Sequence, residues 1–192
     1  MKTMKKAMVT VLTALIAAVA PDHVSHIESV AHATADSTQT VLTAEREKIL
    51  NATPSPALAP ADVVQIVVEA LGMNDYPHAN AGAEVAFRFS SPDNRRTTGP
   101  LEKFIELVHN PVYRPVLNHI HARYGKIKIS ENQATVPVII VSESAERHGY
   151  LFTLKRQVGG EFDRCWMTDS VLPFDVETEE EPSLVMKTSL AM

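Results

Sequence analysis

From Pro60 onward the apolar positions Val63, Val64, Ile66, Val67, Ala70 and Leu71 recur at the spacing of a helix with one buried face. Proline at the first helical position and Asp62 in the first turn open this helix, and Gly72 can close it. A second helix is expected over about Ala81 to Ser90, with Asn80 as its N-cap. Val85 and Phe89 mark one side of it and Phe87 nearly the other, which predicts a helix sandwiched between layers. Ser91-Pro92 ends it, because a residue before proline is pushed out of the α region. Asp93 to Thr98, with Arg95 and Arg96 adjacent, reads as a polar loop. Gly99-Pro100 starts a third helix whose apolar positions Leu101, Phe104, Ile105 and Val108 share one face, and Asn110-Pro111 stops it. Val112 to Leu117, bounded and interrupted by Pro111 and Pro115, reads as a stiff turn.

Beyond this turn the period changes to two. Ile127 and Ile129 alternate with Lys126 and Lys128, Ser130 to Gln133 makes a hairpin turn, and Ala134 to Ser142 is rich in β-branched residues. Pro137 pushes that strand toward an edge or a bulge. Tyr150, Phe152 and Leu154 alternate with Leu151, Thr153 and Lys155, and after Gly159-Gly160 a last strand is expected over Phe162 to Val171, carrying Trp166. The pattern predicts an α+β fold in which three N-terminal helices pack on a curved four-stranded antiparallel sheet, a cone-like layer arrangement able to enclose a pocket.

The flanks refine the division of the chain. MKTMKK runs into the uncharged stretch Ala7 to Ala20, shorter than a membrane-spanning helix needs, so residues 1–33 read as a signal peptide or targeting segment. The secretory pathway or an extracytoplasmic compartment is then expected, with membrane contact only through an uncleaved N-terminal segment. Residues 34–59, rich in Ala, Ser, Thr and Pro, read as a linker with a helical turn around Thr43 to Leu50. Residues 60–174 form the domain, and residues 175–192, with Glu177, Glu179, Glu180 and Glu181, an acidic tail. A net charge of -5 over 192 residues gives no basic footprint, so no nucleic acid is expected as a partner. The single cysteine, Cys165, forms no disulfide within the chain and reads as a small buried hydrophobe.

The pocket of such a cone would be lined by residues turned inward from helices and central strands. Glu84, Phe87, Arg88, Phe104, Tyr113, Tyr150 and Trp166 are the ligand-binding candidates. Glu84 and Arg88 stand four apart, and their plainer reading is an ion pair along the helix. His109 at the end of the third helix suits the last-turn carbonyls, and with Asp169 it forms the one conceivable acid/base pair. His119 and His121 would share a strand face, but no third ligand follows at a metal-site spacing; neither a metal nor a cofactor is expected. The chain has no nucleophile elbow and no phosphate-cradling glycine loop.

In the order NAGAEVAFRFSSPDNRRTTGPLEKF, HNPVYRPVL and CWMTDSV, spanning roughly Pro60 to Phe174, the chain resembles the domain of unknown function 4864 family within the nuclear-transport-factor-2-like, cystatin-like superfamily. The resemblance implies the cone fold with a hydrophobic pocket and carries over no catalytic residue. It also implies a plastid or thylakoid lumen as the alternative location. Two functions follow as expectations. The first is a non-enzymatic domain that binds a small apolar or amphipathic ligand or a partner protein. The second is an enzyme of the isomerase, dehydratase or cyclase kind, working through His109 or Asp169. A homodimer joined through the sheet is compatible with both.

Overall fold

A computed structural model describes residues 39–176; the expected targeting segment and all but the first two residues of the acidic tail lie outside them. The chain divides into two units, Met1–Lys48 and Ile49–Met192. A helix, α1, covers residues 39–50, so the stretch expected to be a linker with one helical turn holds about three turns of helix. Ala44, Glu45, Arg46, Glu47 and Lys48 are strong helix formers in succession, and Lys48 lies 3.4 Å from Glu45. Within the second unit Ile49, Leu50, Ala52 and Leu58 pack half-buried against the core.

The domain is α+β: helices α2 (Pro60–Gly72), α3 (Ala81–Arg88), α4 (Pro92–Thr98) and α5 (Leu101–Val108), a 3-10 turn at Arg114–Val116, then an antiparallel sheet. The expected count of three helices on four strands is corrected to five helices and five strands among the described residues. The loop expected at Asp93 to Thr98 is α4. Ser91 is extended and its hydroxyl accepts from Asn94 N–H at 3.0 Å, so Ser91, just beyond the end of α3 at Arg88, is the N-cap of α4.

The strands are β1 (His121–Tyr124), β2 (Lys128–Ser130), β3 (Gln133–Val141), β4 (Arg147–Arg156) and β5 (Trp166–Phe174). Their order is β1-β3-β4-β5, with β2 also on β3. Pro137 is therefore not at an edge. Its carbonyl accepts from Gly125 N–H, on the side where the pairing partner is broken between Tyr124 and Lys128, so the missing proline N–H falls in the gap. That gap splits one expected strand into two.

The core lies between α2 and α3 and the inner sheet face. Val63, Val64, Val67 and Val68 of α2 meet Val136, Val138 and Ile140 of β3 and Tyr150, Phe152 and Leu154 of β4. Gly82 lets α3 approach α2: a Cβ there would stand 2.1 Å from the Ala70 carbonyl oxygen. Asn74 fixes the same corner from a fully buried position, its side-chain oxygen accepting from Ala83 N–H at 3.0 Å. Asn80, at the N-cap position, has a left-handed backbone and caps nothing with its side chain.

Asn74→Ala leaves a buried helix N–H without its acceptor. Urea unfolding should show a loss of about 1–3 kcal/mol, whereas Asn80→Gly, which relieves a positive φ, should be close to neutral.

Candidate functional site

Between the helices and the end of the sheet lies a cavity of about 390 Å³. Val67 and Leu71 of α2, Ala86 of α3, Phe104, Leu107 and Val108 of α5, and Phe152 of β4 form an apolar wall. Asn94, Thr97 and Thr98 of α4, the run Thr168 to Leu172 of β5, and Ser90, Tyr113, Val116 and Tyr150 form the remainder.

The polar end is shaped by an irregularity in β5. Thr153 pairs with Ser170 and Leu154 with Thr168, so Asp169 is the extra residue of a β-bulge and faces no partner on β4. Alternation breaks there: Met167 and Thr168 are buried in succession. Its carboxylate is held from two sides, accepting from the Ser91 hydroxyl at 2.9 Å and from Lys155 Nζ at 2.7 Å. That carboxylate raises the pKa of Lys155. Thr168 is 3% exposed, and its hydroxyl is one of three buried side-chain polar groups without a hydrogen-bond partner among the described residues.

The two tyrosines stack at the other end, ring centroids 6.3 Å apart. Tyr113 donates to the Val171 carbonyl at 3.0 Å and Tyr150 to the Val112 carbonyl at 2.8 Å. Burial pushes the Tyr150 phenol up to about 12, so it is neutral across the physiological range.

Of the residues singled out from sequence, Phe104, Tyr113, Tyr150 and Asp169 line this cavity, and Glu84, Phe87, Arg88 and Trp166 do not. Phe87 packs on Phe104 at 5.5 Å between centroids, with the Arg95 guanidinium 5.1 Å above its own ring. Trp166 starts β5 and packs half-buried against the core. The expected Glu84–Arg88 pair is absent: Glu84 is 3.9 Å from His78, while Arg88 donates to the carbonyls of Leu50 and Ala52 at 2.9 and 2.8 Å, where α1 ends. Ser91, Asn94 and Thr168 were missed. The Ser-Pro-Asp start of α4 was a readable capping signal for the first two; the bulge left no sequence signal.

His109 and Asp169 are not brought together. His109 caps α5, lies 2.7 Å from Asn80 Oδ1, and lines a second cleft with Asp75, Arg114, Glu143, Glu146 and His148. In that cleft the Asn118 amide, donating at 2.7 Å, holds the Asp75 carboxyl below its ordinary range, with help from Asn80 N–H. His119 precedes β1 instead of sharing its face with His121. Its Nδ1 lies 2.8 Å from the Val116 carbonyl oxygen, and its ring packs on Gly72. Among the described residues no three His, Cys, Asp or Glu side chains are grouped to hold a metal ion. Cys165 is buried, and burial raises its thiol pKa. No described helix is long and apolar enough to cross a membrane.

The family model described as "Domain of unknown function (DUF4864)" matches residues 59–180. No curated protein and no solved structure matches the chain.

Two structural roles are open to test. Arg88→Met should lower stability by about 1–2 kcal/mol and speed amide exchange at residues 49–52, as read by urea unfolding and hydrogen exchange. Burial holds His119 below its ordinary value of 6.5. The unfolded chain therefore binds that proton first, and the contribution is full above pH 6.5 and lost as pH falls through the lower folded value. His119→Gln should give a shallower loss of unfolding free energy between about pH 7.5 and about pH 5.

Proposed function

We propose a binding function for this protein, which belongs to the domain-of-unknown-function family DUF4864: a non-enzymatic domain that encloses one small apolar or amphipathic molecule between α2, α3, α5 and the β4–β5 end of the sheet. The observation that carries this reading is the cavity of about 390 Å³, with a mostly apolar wall and a short polar end. That size falls within the roughly 300–1,000 Å³ of sites that enclose small ligands. Its one carboxylate, Asp169, is engaged by Ser91 and Lys155, an arrangement that suits anchoring better than proton transfer. Helices packed on an antiparallel sheet with a cavity between them also support the cone arrangement of the nuclear-transport-factor-2-like superfamily. An exported or lumenal location is the matching proposal for the segment with three lysines before Ala7 to Ala20.

The neutral fluorophore N-phenylnaphthylamine should bind the full chain at one site. Ala86→Leu, which places three more carbons in the cavity wall, should weaken that binding by about ten-fold or more while the thermal midpoint stays close to that of the parent. Equal binding by both proteins would remove the cavity as the site.

A further inference from the structure

The sheet has a second face, turned away from the helices. β3 alternates along its length, with Ala134, Val136, Val138 and Ile140 buried against the helices and Thr135, Pro137, Ile139 and Val141 facing out. Register carries that outward side across the sheet, because residues directly paired on neighbouring strands share a face. Its centre is apolar: Pro137 stands beside Leu151 and Leu151 beside Leu172, while the Phe174 ring closes over Gly149. One flank is basic. His121 and Arg123 of β1 pair with Val141 and Ile139, Lys128 of β2 with Thr135, and Arg147 of β4 with Val141, and these four side chains are exposed. Lys126, in the break between β1 and β2, is exposed too. No Asp or Glu stands at an outward register position, and the bulged Asp169 is taken up by Lys155. Among the described residues Arg123, Lys126, Lys128 and Arg147 have no ion-pair partner.

We propose that this face is the docking site of the chain's own acidic segment, Glu177 with Glu179 to Glu181, which lies outside the described residues. β5 ends at Phe174 on the outward side, in the register row Phe174, Gly149, Ile139 and Arg123 that crosses the sheet from its last strand to its first. Three strand spacings, about 14 Å, separate the two ends of that row. Glu177 is three residues beyond Phe174 and Glu181 seven, so an extended chain carries these carboxylates from about 10 Å to about 23 Å away. That range covers the flank where Arg123, Lys126 and Lys128 stand. Each exposed ion pair contributes little, but the tether makes docking intramolecular, so several weak pairs act together. Docked in this way, the segment crosses the apolar centre of the face, and an acidic partner reaches the basic flank only by displacing it.

The test is carbodiimide coupling of the full chain, dilute and at low salt, with mass-spectrometric mapping of each carboxylate joined to a lysine amine. Glu177 to Glu181 should couple to Lys126 or Lys128, and about 1 M NaCl, which shortens the screening length to about 3 Å, should lower that yield about five-fold or more. Arg123→Gln together with Arg147→Gln removes two charges and keeps both lysines, and should lower the yield about five-fold as well. Arg46→Gln together with Arg96→Gln, with the same net charge, should leave it unchanged. If the Arg123 and Arg147 variant does not fold, the coupling map and salt response of the parent carry the test. Coupling of the glutamates to Lys48 and Lys103 as often as to Lys126 and Lys128, no coupling to any of them, or a yield indifferent to salt overturns docking on this face. In a mixture of isotopically labelled and unlabelled chains the joins should stay within one label. Joins between labels place the segment on a second copy and overturn the intramolecular contact.

Discussion

Two backbone hydrogen bonds decide where the helices sit over the sheet: Thr168 N–H to the Phe89 carbonyl at 2.9 Å and Ser91 N–H to the Thr168 carbonyl at 2.8 Å. They form a one-residue parallel bridge between Ser90 and Thr168, at the corner where α3 turns into α4. β5 is the last strand of the sheet, with β4 on one side, and an open edge there would present unpaired N–H and C=O groups. The helix corner covers that edge locally. It also holds α3 and α4 against β5 at one point, leaving the cavity on the inner face beside the contact. Without the bridge neither the Ser91 cap nor the Asp169 bulge would have a fixed partner.

The bulge and the cap depend on each other. The Ser91 hydroxyl accepts from Asn94 N–H and donates to Asp169, so one oxygen caps the start of α4 and holds the extra residue of β5. A bulge inserts an unpaired residue and re-aims it. Here the side chain that lies at the cavity is a carboxylate with 16% of its surface exposed. Its second oxygen reaches Lys155 on β4, so the charge is matched from within the same sheet. Strand irregularity, helix capping and the polarity of the cavity end are therefore consequences of one local arrangement.

The legible part of this structure was its periodic part. Pro60–Gly72 showed its start, its buried stripe and its stop, and α3 and α5 were placed within a residue or two by the same signals. Tyr150, Phe152 and Leu154 were readable as one strand face because period two leaves no other option. What failed was local competition among signals. Ser91-Pro92 was read only as an end, although a proline-bound extended serine is equally a cap, and α4 was lost. Pro137 was read against an unbroken neighbouring strand, and the break at Gly125 to Ile127 makes it compatible with the sheet centre. Arg88 was placed by helix geometry alone, whereas its position is decided by carbonyls 36 and 38 residues away. Of the site, the apolar and aromatic lining was in reach through Phe104, Tyr113 and Tyr150. Thr168 was not, because its place at the cavity goes with the bulge at Asp169, which leaves no sequence signal.

The chemistry available at the cavity follows from which protons are free to move. Tyr150, raised to about 12, keeps its proton, and its hydroxyl is committed to a carbonyl, as is that of Tyr113. Asp169 is flanked by Lys155, whose charged form it stabilises, and accepts from the Ser91 hydroxyl. His109, the other titratable candidate, lines the second cleft and is not part of this wall. General acid/base catalysis asks for a group that changes protonation at low cost within reach of the substrate. Among the described residues lining this cavity, the two tyrosine hydroxyls and the Asp169 carboxylate are each already engaged by protein partners.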